Sequence, residues 1–227
     1  ETIAQSTSQI KQRALIGLVL VGIAPTVSVI TGFALKAGMI AAFVFIFTKL
    51  WIFGLPAYWY LKIEGGQRSY STPQNGGWMV STLLGIGMAI VIGIAYFLLG
   101  DLVIRSEDLA EILEPFGLTV PWKLAIGILF WIFINSVLEE YVFRWFITSK
   151  LETLVGGKWR PILLSAAIFT LHHTIALAFF IDPLGNAIAS LGVFIGGVIF
   201  SWLYVQYRSV WVAWVAHAIA DVAIFAI

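Results

Sequence analysis

The chain has 227 residues, of which 60% are hydrophobic and only 11% charged, with a mean hydropathy of +0.97. A water-soluble domain of this size needs far more polar side chains to cover it, so that class is excluded. The formal net charge of +1 makes no electrostatic case for a nucleic-acid partner, and the lack of cysteine removes disulfides and thiolate metal sites.

A hydrocarbon core about 30 Å thick takes roughly 20 apolar residues per helix. On that measure the sequence predicts seven spans, at 14–35, 37–61, 78–100, 124–148, 161–181, 187–207 and 210–227. The first apolar run is long enough to span and carries no cleavage site, so it reads as a transmembrane helix rather than a signal peptide. Turn residues dominate the link from Lys62 to Gly77, and "DPLG" at Asp182–Gly185 reads as a tight turn. After the third span, Ser106 precedes acidic residues and an apolar spacing of Leu109, Ile112, Leu113 and Phe116, the pattern of a short helix at the membrane surface. Ten tryptophans and seven tyrosines suit two membrane interfaces. The fold class is therefore an all-α integral membrane protein. It is a bundle of about seven transmembrane helices, eight if another follows Ile227, with one short interfacial helix. Residues 1–227 read as a single transmembrane domain, with its chemistry in a core of about 124–227.

Basic residues set an orientation. Lys11, Arg13, Lys62, Arg68, Lys150, Lys158, Arg160 and Arg208 fall on one side, against Lys36, Arg105 and Lys123 on the other. The positive-inside tendency then puts the N-terminus in the cytoplasm and the C-terminus outside.

Ionisable residues inside a span cost at least ~2.5–3.5 kcal/mol each and usually face the bundle interior for a functional reason. Here they are Lys49, Glu139, Glu140, Arg144, His172, His173, His217 and Asp221, which include every histidine of the chain. Glu140 lies ten positions before Lys150, His173 thirteen after Arg160, and His217 nine after Arg208. At ~1.5 Å per residue these separations place the three groups roughly 15, 20 and 14 Å below one face. Glu140 and Arg144 share a helix face at i,i+4 and can neutralise each other, whereas Glu139 points about 100° away toward Phe143 and is expected to have no partner in its own helix. Phe169 shares a face with His173, and His217 with Asp221, whose carboxylate is placed to fix the His217 ring. Carboxylates and imidazoles meeting in a site without an evident nucleophile suggest activation of water.

The motifs "EEYVFR" at Glu139–Arg144, "FTLHH" at Phe169–His173 and "HAIAD" at His217–Asp221 follow in order on three hydrophobic segments. Together they resemble the type II CAAX prenyl-protease family, also called the CPBP or bacteriocin-processing (Abi) family of intramembrane proteases, over about 131–221. The resemblance implies a hydrolase in which Glu139 and His173 polarise water, Glu140 supports them, and Arg144 holds the glutamates. It further implies that His217 and Asp221 bind the scissile carbonyl oxygen. The family pattern admits Asn at the last position and an aspartate donates only when protonated, so Asp221 instead orienting His217 stays open. His172 matches no motif position and reads as a packing or supporting residue. Glu139, His173 and His217 could also hold a zinc ion with an open position, although no H-E-x-x-H is present and the reading leans to a metal-independent glutamate protease. A serine rhomboid or aspartyl intramembrane protease is not supported, since neither Gly-x-Ser with a histidine nor G-x-G-D occurs. The implied partners are the lipid bilayer and a peptide or lipidated protein, either a prenylated tail or a leader or pro-peptide.

Two other classes compete with this reading. Buried Glu, His and Asp also form proton relays in coupled transporters, which would show related repeats that this chain lacks. A membrane scaffold without activity is the third reading. Smaller features read structurally: Lys49 as a snorkelling residue or a counter-charge to the glutamates, Gly192, Gly196 and Gly197 as a close helix-packing face, and Pro25 and Pro56 as kinks or helix ends.

Overall fold

A computed structural model describes residues 2–34, 39–103, 114 and 119–227. Among these residues there is no strand, and the elements form seven helices. They are α1 (Thr2–Ala34), α2 (Met39–Tyr58), α3 (Trp78–Val103), α4 (Pro121–Val155), α5 (Trp159–Leu177), α6 (Pro183–Tyr207) and α7 (Val210–Ala226). Five stretches, within α1 and α3 to α6, are each long and apolar enough to cross a membrane. The chain is a multi-pass integral membrane protein. Its surface is the inverse of a soluble fold: Leu83, Ile90, Val91, Phe97, Leu129 and Leu191 are exposed, while Glu140, Arg144, Thr148, Ser165 and Ser201 are fully buried. That arrangement suits a lipid solvent, which accepts apolar side chains and rejects unsatisfied polar ones.

Several expected boundaries move. The segment 106–116 predicted as an interfacial helix lies outside the described residues apart from Glu114, as do Lys36 and Arg105. The fourth helix does not end near Lys150 but continues to Val155, where Gly156 and Gly157 turn the chain with positive φ. Lys150 is itself buried, paired with Glu64 and lying over the Phe146 ring. "DPLG" is a helix start rather than a turn. Pro183 occupies the first helical position, and Asp182 caps α6 by accepting from the amides of Leu184 and Gly185 at 2.8 and 3.0 Å. Pro56 lies within α2 near its end, and a wider π turn over Trp59–Ile63 follows.

Two clusters form the packed interior. In one, Val21 and Ala24 of α1, Ile52 of α2, Val142, Phe143, Phe146 and Ile147 of α4, and Phe169 of α5 pack together. In the other, Phe200, Leu203 and Tyr204 of α6 meet Val210, Val212, Ala213 and Ala216 of α7. The second half of α4 lies between them, and Trp145 packs on both. Of the three glycines expected to form a packing face, only Gly197 meets another helix closely: a Cβ there would lie 3.2 Å from Ala166 and Phe169. Gly192 faces open space, and the nearest contact of Gly196 is Phe200 of its own helix.

Candidate active site

The second half of α4 is not a uniform α-helix. Trp131–Asn135 and Glu140–Thr148 are π-helical, and the four-residue α turn Ser136–Glu139 lies between them. The boundary falls between the two glutamates. π segments are rare and concentrate at functional sites.

Glu140 and Arg144 are both fully buried, with Arg144 Nε 3.1 Å from Glu140 Oε2. The guanidinium carbon sits 4.4 Å from the centroid of Phe169, 5.4 Å from that of Phe200 and 5.9 Å from that of Phe143. The cation thus rests among aromatic faces, and its two terminal nitrogens have no hydrogen-bond partner among the described residues. The other Glu140 oxygen, Oε1, lies 2.8 Å from His217 Nδ1. A salt bridge therefore runs from α4 into α7. It is Glu140, rather than Asp221, that orients the His217 ring. Asp221 Oδ1 stands 3.7 Å from His217 Nε2, beyond hydrogen-bond reach. Phe200 stacks on the opposite ring at 4.5 Å and 17°.

Glu139 is less buried than Glu140, and it does have a partner in its own helix. Asn135 Nδ2 donates to Glu139 Oε1 at 2.8 Å, one turn earlier. Its Oε2 lies 3.7 Å from His217 Nε2. On α5, His173 Nδ1 lies 2.9 Å from the Phe169 carbonyl, which can only accept. Nδ1 therefore carries the proton, and the lone pair of a neutral ring is on Nε2. His172 is packed face to face on Phe143 at 5.1 Å and 12°, with its ring centroid 4.1 Å from that of His173. One ligand atom each from Glu139, His172 and His173 lie within 4.8 Å of one another. Lys49 of α2 lies within electrostatic reach of Glu139 and His172.

Three helices thus bring Glu139, Glu140, Arg144, Phe169, His173, His217 and Asp221 into one neighbourhood. A carboxylate held by an amide, an imidazole nitrogen with a free lone pair and a second imidazole held by a carboxylate can polarise water and meet developing negative charge. Residues 121–223 match the family model described as type II CAAX prenyl endopeptidase, Rce1-like. This stretch is similar to an Rce1-like endopeptidase domain. The match covers a little under half of the sequence and includes every residue of the three motifs. Neither the comparison with curated proteins nor that with solved structures returned a match. The match supports a CAAX-type intramembrane peptidase in general, a class that acts on a protein substrate in a lipid environment.

Asn135 and Phe200 were not singled out from the sequence. Asn135 was findable, because it lies four residues before Glu139, the spacing at which helical side chains meet. Phe200 is one of 17 phenylalanines, and nothing local distinguishes it.

Proposed function

We propose that the chain hydrolyses a peptide bond of a prenylated, CAAX-type protein with Glu139 as the base. Glu139 takes a proton from a water that His173 Nε2 also holds, and the hydroxide adds to the scissile carbonyl carbon. The oxyanion accepts a hydrogen bond from His217 Nε2 when that ring is doubly protonated, its Nδ1–H being donated to Glu140. Collapse of the tetrahedral adduct breaks the C–N bond, and Glu139 returns its proton to the leaving amine. Asp221 is assigned to the same oxyanion side, as a carboxylate beside His217 rather than a direct ligand of its ring. Arg144 pairs with Glu140, and Phe169 carries the carbonyl that sets the His173 tautomer. No metal is required on this reading. A zinc-dependent alternative would use Glu139 and His173 with His217.

The observation that supports this best is the division of labour between the two glutamates. Glu140 has one oxygen beside Arg144 and the other on His217, while Glu139 keeps an oxygen clear of any hydrogen bond among the described residues. A leader or pro-peptide is the substrate alternative, and the name of the matched family favours the prenylated tail. The excess of basic residues supports a cytoplasmic N-terminus and an active site nearer the cytoplasmic face.

The test is cleavage of a farnesylated C-terminal peptide by the purified chain in proteoliposomes. Glu139→Gln and His173→Ala are expected to lower turnover by at least ~100-fold, in the range of a general base, with insertion and thermal unfolding near wild type. Undiminished turnover by Glu139→Gln overturns the assignment.

A further inference from the structure

His172 takes no part in the chemistry proposed above, yet it is more than nine-tenths buried beside the two residues that do. Its Nδ1 is enclosed and has no hydrogen-bond partner among the described residues; the Ile168 carbonyl one turn back approaches it without meeting hydrogen-bond geometry. Stacking on Phe143 and edge contact with Phe169 at 5.6 Å fix the ring where it is.

We infer that Glu139, His172 and His173 form a binding site for a divalent transition metal, zinc by its ligand chemistry, whose occupancy shuts off the peptidase. The donor set is two imidazoles and one carboxylate, which suits Zn²⁺ and offers little to Mg²⁺ or Ca²⁺. Ligands of a tetrahedral zinc at about 2.0–2.1 Å stand roughly 3.3 Å apart, so atoms already within 4.8 Å need only small side-chain rotations to converge. The supporting contacts are those that metal ligands carry. His173 donates its other ring N–H to the Phe169 carbonyl, and the second Glu139 oxygen accepts from Asn135. Neighbouring helical residues point about 100° apart, yet the His172 and His173 ring centroids lie 4.1 Å apart, near enough for one ion.

The inhibitory sign rests on the proposed role of Glu139 and His173. A zinc ion bound there occupies the carboxylate that must accept a proton and the Nε2 lone pair that holds the water. Glu140 cannot replace the base, because one oxygen pairs with Arg144 and the other with His217. Zinc is thus a reversible stopper of this site rather than its catalyst.

The experiment uses the full chain in detergent, stripped with a chelator and titrated with Zn²⁺ against a chromophoric zinc indicator, alongside peptide cleavage. One zinc per chain is expected. His172→Gln and Glu139→Gln should each weaken binding at least ~10-fold, since even outer-shell losses cost that much, while His217→Ala leaves it unchanged. His172→Gln should retain cleavage in the stripped state but need at least ~10-fold more zinc for half-inhibition. Equal zinc affinity in wild type and His172→Gln overturns the site, as does loss of binding in His217→Ala alone, which would move the ion to His217. Zinc that binds through His172 but raises turnover overturns the inhibitory role and the metal-independent mechanism together, leaving the ligand assignment standing.

Discussion

Replacing Arg144 with methionine removes one charge of a pair that is entirely out of solvent. Glu140 would then retain only the His217 Nδ1 contact, with its Oε2 facing the rings that had held the guanidinium. Breaking one side of a buried pair costs about 3–5 kcal/mol, because the surviving charge is left uncompensated. The lost contact with Phe169 at 4.4 Å falls within that figure, being worth about 2 kcal/mol when desolvated. Glu140→Gln should cost a similar amount by stranding the arginine. The double variant Glu140→Gln/Arg144→Met carries neither charge, and its glutamine oxygen can still accept from His217. Replacing both members of a buried pair by neutral groups is often close to neutral. The double variant should therefore unfold within about 2 kcal/mol of wild type, giving a coupling energy of at least about 4 kcal/mol. Equilibrium unfolding in mixed micelles, followed by tryptophan fluorescence, measures all four species. A loss below about 1 kcal/mol for Arg144→Met, or additivity of the single changes, would refute the claim that this buried pair within α4 compensates two charges that would otherwise be stranded.

Two further substitutions probe the frame around the site. A Cβ on Gly85 of α3 would lie 2.9 Å from Ile219 Cδ1 and 3.1 Å from the backbone of Ala216, next to His217. Gly85→Val should therefore shift α7, lowering stability by about 1–3 kcal/mol and turnover by more than that stability loss explains. Wild-type unfolding and cleavage rates in that variant would show that α7 has room to spare. At the other end, Arg208 caps α6 in the left-handed region at φ 53° and pairs with both Glu152 oxygens at 2.7 and 2.8 Å. Because the pair is partly exposed, Glu152→Gln should cost no more than about 1 kcal/mol and leave cleavage unchanged, in contrast to Arg144→Met in the same unfolding assay.

The sequence exposed the membrane class and the three motif helices because a bilayer penalises buried charge so heavily that every such residue becomes a signal. Glu140 and Arg144 pair as the i,i+4 spacing requires. Tertiary contacts were not legible in this way. The hydrogen bond from His217 to Glu140 crosses from α7 to α4, and no local spacing predicts which of three carboxylates a ring will meet. The same holds for the approach of Glu139 to His172, a residue at no defined motif position. Helix ends were read from hydropathy, and the capping chemistry of Asp182 and Pro183, visible in the sequence, was passed over for a turn.

The π-helical stretch from Glu140 to Thr148 is the least predictable feature, and it connects the others. A π turn requires the carbonyl of residue i to pair five residues ahead, which widens the helix and leaves its hydrogen bonds poorly aligned. Hydroxyls supplement them at Phe143. Ser165 Oγ of α5 donates to the Phe143 carbonyl at 3.1 Å, and Thr148 Oγ1, five residues on, lies 2.8 Å from the same oxygen. Both side chains are fully buried, so their hydroxyls have no water to prefer. The second widened segment begins immediately after Glu139, which closes the four-residue α turn and meets Asn135 at the end of the first π segment, while Glu140 enters the second π segment with Arg144. Two adjacent glutamates are thereby given separate supports, one an amide in the preceding turn and the other a caged guanidinium in the following one. Removing the Ser165 and Thr148 hydroxyls together would strip both supplements from the Phe143 carbonyl without touching either carboxylate.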